Sequence, residues 1–114
     1  MKRPAWDLEI PVAITVCDPK GVILEMNDLS AANLKKYGGR ALVGKSLYDC
    51  HPGPAGRKLA RLMRSRRTNI YTVEKRGVKK IIIQAPWFRR GKFGGYVELG
   101  AVLPGKVPHF VRRG

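Results

Sequence analysis

Three apolar segments in the second half of the chain, separated by short basic turns, constrain the fold most strongly. The segments 69–74, 78–88 and 95–103 are rich in β-branched and aromatic residues, as β-strands are. The turns at 75–77 and 89–92 are too short to hold a helix, so consecutive segments must pair as antiparallel hairpins. The sequence therefore predicts a three-stranded antiparallel meander.

A further hairpin is predicted near the start of the chain. Residues 10–17 and 22–27 are strand-like, and they flank Asp18-Pro19-Lys20-Gly21, whose residue order is typical of a tight turn. Two hairpin blocks around a central excursion indicate an α+β domain with one five-stranded antiparallel sheet. A chain of 114 residues is long enough for one such domain with its own core.

The central excursion is predicted to be helical. Asn27 or Asp28 can cap a helix that runs to about Tyr37. Pro54 suits the first turn of a longer helix that ends near Arg66. The segment 47–52 between the helices is expected to be irregular.

The strand-like segments carry large apolar residues at both alternating sets of positions. In 78–88, Ile81 and Ile83 lie on one face while Ile82 and Phe88 lie on the other. Because a sheet that is apolar on both faces needs a second cover, we expect a homodimer or a docked partner, unless residues 1–10 cover that face. The residues assigned to the dimer face are Trp6, Ile82, Phe88, Tyr96 and Val102.

The ordered set of segments resembles the PAS domain (Per-Arnt-Sim), a small sensor module of bacterial signalling proteins. Residues 13–24 are similar to its opening hairpin, 26–32 to the start of its next helix, and 42–47 to the segment before its long helix. The resemblance covers 10–104. It implies a five-stranded antiparallel sheet with short helices over one face, ligand sensing or dimerisation, and no catalysis. Residues 1–9 would be an N-terminal cap segment and 105–114 a basic C-terminal tail.

Such a fold can leave a pocket between helices and sheet, mostly apolar with a few polar groups. The residues expected to line it are Met26, Leu34, Leu47, His51, Leu59, Met63, Ile83 and Leu99. The alternative is that the apolar residues of this set fill an ordinary core and that His51 braces the loop before Pro54.

Cofactor chemistry can be tested against the resemblance. Flavin photosensors of this family carry a reactive Cys where this chain has Leu47, so adduct chemistry is not expected. Haem-binding members often use a His on the long helix, and 57–60 contains none, so haem is also not expected. The four His and Cys residues lack the paired spacing of a zinc site: they are Cys17, Cys50, His51 and His109. The cofactor, if one exists, is left unidentified, and no metal site is predicted.

Positive charge is concentrated in the second half of the chain. Overall, 23 basic residues oppose 8 acidic ones, for a net charge of +15, and residues 51–114 contain only Glu74 and Glu98 as acids. The asymmetry indicates either a solvated surface or an acidic partner, such as a protein, nucleic acid or an anionic membrane face. Candidate phosphate contacts are Arg61, Arg64, Arg66, Arg67, Lys75, Arg76, Lys79 and Lys80. No base-reading motif is present, so any nucleic-acid binding is expected to be weak and nonspecific.

No catalytic triad, phosphate-binding loop or paired carboxylate motif is recognisable, so we do not expect an enzyme. No apolar run approaches the length of a membrane span and no signal peptide is visible, which predicts a cytoplasmic protein. The favoured function is a PAS-type sensing or dimerisation module. A basic nucleic-acid-binding protein and a haem-type gas or redox sensor are the alternatives.

Overall fold

A computed structural model describes residues 3–114 as an α+β domain built on one five-stranded antiparallel sheet with the strand order β2-β1-β5-β4-β3. The predicted fold class is confirmed. The strands are β1 (Ala13–Cys17), β2 (Ile23–Met26), β3 (Asn69–Lys75), β4 (Val78–Arg89) and β5 (Lys92–Val102). The strand β1 pairs with both β2 and β5, so the first hairpin joins the meander through its first strand.

Three α-helices connect the two hairpin blocks: α1 (Asp28–Asn33), α2 (Leu47–Cys50) and α3 (Pro54–Ser65). Two 3₁₀ turns, Lys35–Tyr37 and Gly39–Leu42, follow α1, which ends earlier than the sequence predicted. The expected irregular segment 47–52 was wrong in its first part, because α2 forms there. The side chain of Ser46 accepts a hydrogen bond from the Tyr48 N–H at 3.1 Å and so caps α2.

The two hairpins of the meander share one kind of turn. Arg76 and Gly77 have φ values of 53° and 77°, and Arg90 and Gly91 have values of 52° and 78°. Two consecutive residues with positive φ are typical of the type I′ turn, which matches the twist of the flanking strands. The second hairpin is tighter than predicted, because β5 begins at Lys92 rather than at residue 95.

The helices cover only one face of the sheet. The Tyr96 hydroxyl donates to the carbonyl of Leu62 in α3 at 2.8 Å, which places α3 on the face that carries Tyr96. We call this the helix face. By alternation along the strands and the register of β4 and β5, Ile82 lies on the helix face, whereas Ile83 and Leu99 lie on the opposite, open face.

This arrangement corrects the sequence-based assignment of the two faces. Ile83 and Leu99 were expected beneath the helices, and they lie on the open face. Conversely, Ile82, Tyr96 and Val102 were expected on the uncovered face, and they lie on the helix face. The reason is that both alternating sets are apolar, so the strand pattern alone does not show which set the helices cover.

The core lies between the helix face and the helices, in two clusters. Cys17, Met63 and Tyr96 form the first, and Ile23, Met26 and Leu42 form the second. Partly buried residues complete the two clusters: Leu34, Leu47, Leu59, Leu62 and Phe93. Most of the residues predicted to line a pocket therefore pack against one another as core.

The N-terminal segment contacts the start of α1, and the C-terminal segment belongs to no regular element. The carbonyl of Leu8 accepts a hydrogen bond from the N–H of Asp28 at 3.0 Å, so the N-terminal segment runs beside the start of α1. Trp6 is 57% exposed, with the Arg3 guanidinium 5.4 Å from its ring centre. Of the predicted cap segment 1–9, residues 1 and 2 lie outside the described residues. Residues 103–114 form no helix or strand.

Candidate functional site: a cavity between α1 and the sheet

A half-open cavity of about 170 Å³ lies between α1 and the helix face. Its floor is formed by Ile82 of β4 and by Gly100 and Val102 of β5, and Lys80 and Glu98 also line it. Residues of α1, the residue that follows it, β1 and the approach to β1 complete the lining: Leu29, Ser30, Asn33, Leu34, Pro11, Ala13 and Thr15. The wall is therefore mixed, with apolar surface at the centre of the floor and polar groups around it.

Gly100 lies in the floor of this cavity at a position where a side chain would fit. A Cβ atom at position 100 would lie 3.5 Å from the Cδ1 of Ile82 and 3.8 Å from the Cβ of Ala13, which are ordinary van der Waals distances. The backbone there does not require glycine, because its φ is not in the left-handed region. The missing side chain therefore leaves space in the floor rather than relieving backbone strain.

A row of polar side chains crosses the helix face beside the cavity. The Asn69 amide donates to Gln84 at 2.9 Å, and the Gln84 amide donates to Oε1 of Glu98 at 2.8 Å. On the opposite wall, the hydroxyls of Thr15 and Ser30 are hydrogen-bonded at 2.5 Å. A ligand here would meet an apolar floor with hydrogen-bonding and charged groups at its margins, the usual composition of a small-molecule site.

The wall contributed by α1 is held in place by Asn27, which is buried. Its Oδ1 accepts from the N–H groups of Ile14 at 2.9 Å and Ser30 at 3.1 Å. Its Nδ2 donates to the carbonyls of Asp7 at 2.9 Å and Val12 at 2.8 Å. One side chain thus caps α1 and fixes it to β1 and to the N-terminal segment.

Of the eight residues predicted to line a pocket, only Leu34 lines this cavity. His51 is exposed, and its Nδ1 lies 2.8 Å from the carbonyl of Leu47, so it braces the loop after α2. Two residues predicted for the dimer face, Ile82 and Val102, line the cavity instead. Sequence reasoning missed Gly100, although a glycine inside an apolar strand is a known sign of open space or close approach.

The described residues offer little to a metal or a haem. Within 3–114 no group of three or more His, Cys, Asp or Glu side chains is placed to hold a metal ion. The cavity lining contains no His, Cys, Met or Tyr, the residue types that ligate haem iron, so the lining does not fit a haem.

The two thiols differ in environment. Burial raises the pKa of Cys17, with smaller contributions from the nearby carboxylates of Asp18 and Glu98, and the backbone hydrogen bond at Tyr96 opposes them. The Cys17 thiol therefore stays protonated near neutral pH and is a poor nucleophile. Cys50 is exposed.

The sequence was compared with the profiles of known protein families. Residues 9–67, just over half of the chain, match the sequence profile of the PAS fold family. The chain therefore belongs to the PAS fold family, whose members are sensor domains of signal transduction proteins and are generally not catalytic. No curated protein matches the chain in sequence.

Solved structures share the fold at low sequence identity. A sensory box sensor histidine kinase from Vibrio cholerae superposes with a TM-score of 0.66 at 12% identity, covering 89% of this chain and 87% of that one. A C-terminal domain from Streptococcus mutans gives 0.67 at 21% identity, with coverages of 83% and 78%. The Aer2 receptor from Vibrio cholerae, described as a dual PAS-haem oxygen sensor, gives 0.58 at 12% identity, with coverages of 82% and 95%.

No helix among residues 3–114 combines the length and apolar character needed to cross a membrane.

Proposed function

We propose that this PAS domain is a sensor that binds a small organic ligand in the cavity between α1 and the sheet. The observation that carries the proposal is the cavity of about 170 Å³, whose floor contains Gly100 at a position where the backbone does not require glycine. An apolar cavity of about 150 Å³ is known to hold a benzene molecule, so this one suits a ligand of about six to ten non-hydrogen atoms. Lys80, Glu98 and the hydroxyls of Thr15 and Ser30 favour a ligand with polar substituents.

The substitution Gly100→Val tests this proposal, because it fills the floor from a strand position that accepts a β-branched residue. The measurement is the thermal unfolding of the purified protein with a library of monocyclic aromatic and aliphatic compounds of that size. We expect compounds that raise the Tm of the unmodified chain to leave the Tm of Gly100→Val unchanged. Gly100→Val itself should be at least as stable as the unmodified chain, since it adds apolar contact.

Gly105→Val is the matched control, because a Cβ atom at position 105 meets nothing within 4 Å. This variant should respond to the compounds as the unmodified chain does. If Gly100→Val still gains stability from the same compounds, they bind elsewhere and the proposed site is wrong.

The chain would pass its signal through contact with a second copy on the open face. Open-face positions from Ile81 to Trp87 on β4 and from Val97 to Ala101 on β5 are all uncharged. Ile70 on the edge strand β3 extends this surface and is 57% exposed. Two chains of charge +15 repel each other, so an uncharged apolar surface is where they can meet. An acidic protein partner, suggested by the same charge, is the alternative means of output.

A further inference from the structure

Folding brings basic side chains and exposed aromatic rings together at the β4–β5 turn. The guanidinium carbon of Arg66, just after α3, lies 4.7 Å from the ring centre of Phe93. The rings of Phe93 and Phe88 meet edge to face with centres 6.1 Å apart, and Phe88 is 52% exposed. We call this surface the basic–aromatic patch: Arg64, Arg66, Phe88, Arg89, Arg90, Lys92 and Phe93.

Two open grooves adjoin the patch, and a row of arginines on α3 ends at it. A groove of about 650 Å³ lined by Arg64 and Arg66 and a groove of about 380 Å³ lined by Arg89, Arg90 and Lys92 both include Phe93 in their walls. On α3, the exposed Arg57, Arg61 and Arg64 are three or four residues apart. They therefore form one row with steps of about 5–6 Å along the helix.

The cations of the patch have no acidic partner in the described part of the chain. The ion pairs among residues 3–114 are Arg3 with Asp7 and Arg40 with Asp28, and neither pair involves the patch. The patch is thus a concentrated positive surface, and an anionic partner would gain charge-assisted hydrogen bonds from its arginines.

Two arginines of the patch hold unusual backbone conformations. Arg66 has a φ of 54° at the end of α3, and Arg90 has a φ of 52° in the hairpin turn. Glycine or asparagine adopts this left-handed conformation more easily than arginine. Arg76, which lies outside the patch, shares this conformation with a φ of 53° and so provides a matched comparison for Arg90.

We propose that the basic–aromatic patch binds single-stranded nucleic acid. The phosphates follow the arginine row of α3 to the turn, and a base stacks on the exposed ring of Phe88. A regular linear polyanion matches the row of cations, and the aromatic rings supply the stacking surface that proteins use for unpaired bases. A duplex keeps its bases stacked inside, so it would gain only the phosphate contacts. This binding is independent of the small-ligand cavity, which lies elsewhere on the helix face.

The test is fluorescence anisotropy across a salt series with a labelled 12-nucleotide oligothymidine strand and an abasic strand of the same length. Stacking of even one base makes the oligothymidine bind at least about fivefold more tightly than the abasic strand. Phe88→Ala should reduce that preference to less than about twofold and leave the slope of affinity against salt unchanged. Contact with about four phosphates would give a log–log slope of roughly −3 for the unmodified chain.

Arg90→Asn and Arg76→Asn form a matched pair, because both residues hold the same position in type I′ turns and both changes remove one positive charge. Only Arg90 lies in the patch. Arg90→Asn should weaken oligothymidine binding about three- to tenfold and reduce the salt slope by about 0.7, whereas Arg76→Asn should weaken binding less than about twofold. Both variants should unfold at a higher temperature, since asparagine suits the turn better.

Three results would overturn the proposal. Equal weakening by Arg90→Asn and Arg76→Asn would show that only overall charge attracts the strand. Equal affinity for the oligothymidine and the abasic strand would show that no base stacks. A 12-residue polyglutamate that displaces the oligothymidine at equal concentration would assign the patch to an acidic protein. Circular dichroism establishes that each variant is folded, and Lys92→Gln replaces Arg90→Asn if that variant does not fold.

Discussion

Asn27 shows how much of the site depends on one residue. Its side chain is 4% exposed and makes hydrogen bonds to Ile14, Ser30, Asp7 and Val12, so that both its acceptor and its donor groups are satisfied. The Asn27 amide therefore joins α1, β1 and the N-terminal segment. Loss of any one of these hydrogen bonds would leave a buried polar group unpaired. The sequence indicated Asn27 only as a possible helix cap. Its long-range partners are 13 to 20 residues away in the chain and could not be inferred from local signals.

Asn27→Asp should lower the free energy of unfolding by about 2–4 kcal/mol, because the carboxylate keeps the acceptor contacts but leaves two buried carbonyls without a donor. Protonation restores one donor, so the loss should shrink as the pH falls from about 7 to about 4. Urea unfolding followed by circular dichroism measures both effects. Asn33→Asp, the same change at an exposed position of α1, should cost less than about 0.5 kcal/mol. A similar small loss for Asn27→Asp would show that its amide donors contribute little.

At the scale of elements, the sequence predicted the strands, the hairpins and the long helix α3 because these are set by local patterns. The hairpin at Arg76-Gly77 needed only a short turn between apolar runs, and α3 needed Pro54 and an amphipathic repeat. The short helix α2 was missed, although Ser46 followed by Asp49 three residues later is a recognisable capping pattern. The local sequence from Ser46 to Asp49 is therefore sufficient to predict α2.

The assignment of residues to the two faces failed for a different reason. Alternation shows that Ile82 and Ile83 point to opposite sides, yet both are large and apolar, so either could lie under the helices. Which face the helices cover is determined by contacts between residues that are distant in sequence, such as the hydrogen bond from Tyr96 to Leu62. The cavity was mispredicted as a consequence, since its floor belongs to the face that was thought to be uncovered.

The open face provides a prediction about association. Leu99→Glu should raise the dissociation constant of the dimer at least about hundredfold, because it places an unpaired charge in an apolar contact. Since glutamate lowers the net positive charge, the weakening cannot come from general repulsion. Val102→Glu, on the helix face and 63% exposed at that position, should leave the dimer intact. Sedimentation velocity over a concentration series measures both variants. A monomeric unmodified chain at about 100 μM, or disruption by Val102→Glu alone, would contradict the proposed contact.

At the scale of the whole molecule, the chain presents three candidate binding surfaces. The cavity lies under α1, the uncharged open face lies on the other side of the sheet, and the basic–aromatic patch lies at the β4–β5 turn near the end of α3. The open face and the patch meet at Trp87, which is an open-face position and also lines the groove formed by Arg89, Arg90 and Lys92. The composition predicted the presence of a basic half, but only folding brings Phe93 to the arginines that follow α3.

The central claim is that a small ligand is sensed in the cavity under α1, and Ile82 and Ile83 test it most directly. They are neighbours in β4, but Ile82 lines the cavity and Ile83 lies on the open face. The measurement is a methyl NMR titration of isoleucine-labelled protein with a compound that raises the Tm of the unmodified chain. We predict that the Ile82 δ1 methyl resonance shifts progressively to saturation and by more than the Ile83 resonance. A shift of Ile83 without Ile82, or no shift of either at saturating compound, would contradict the claim.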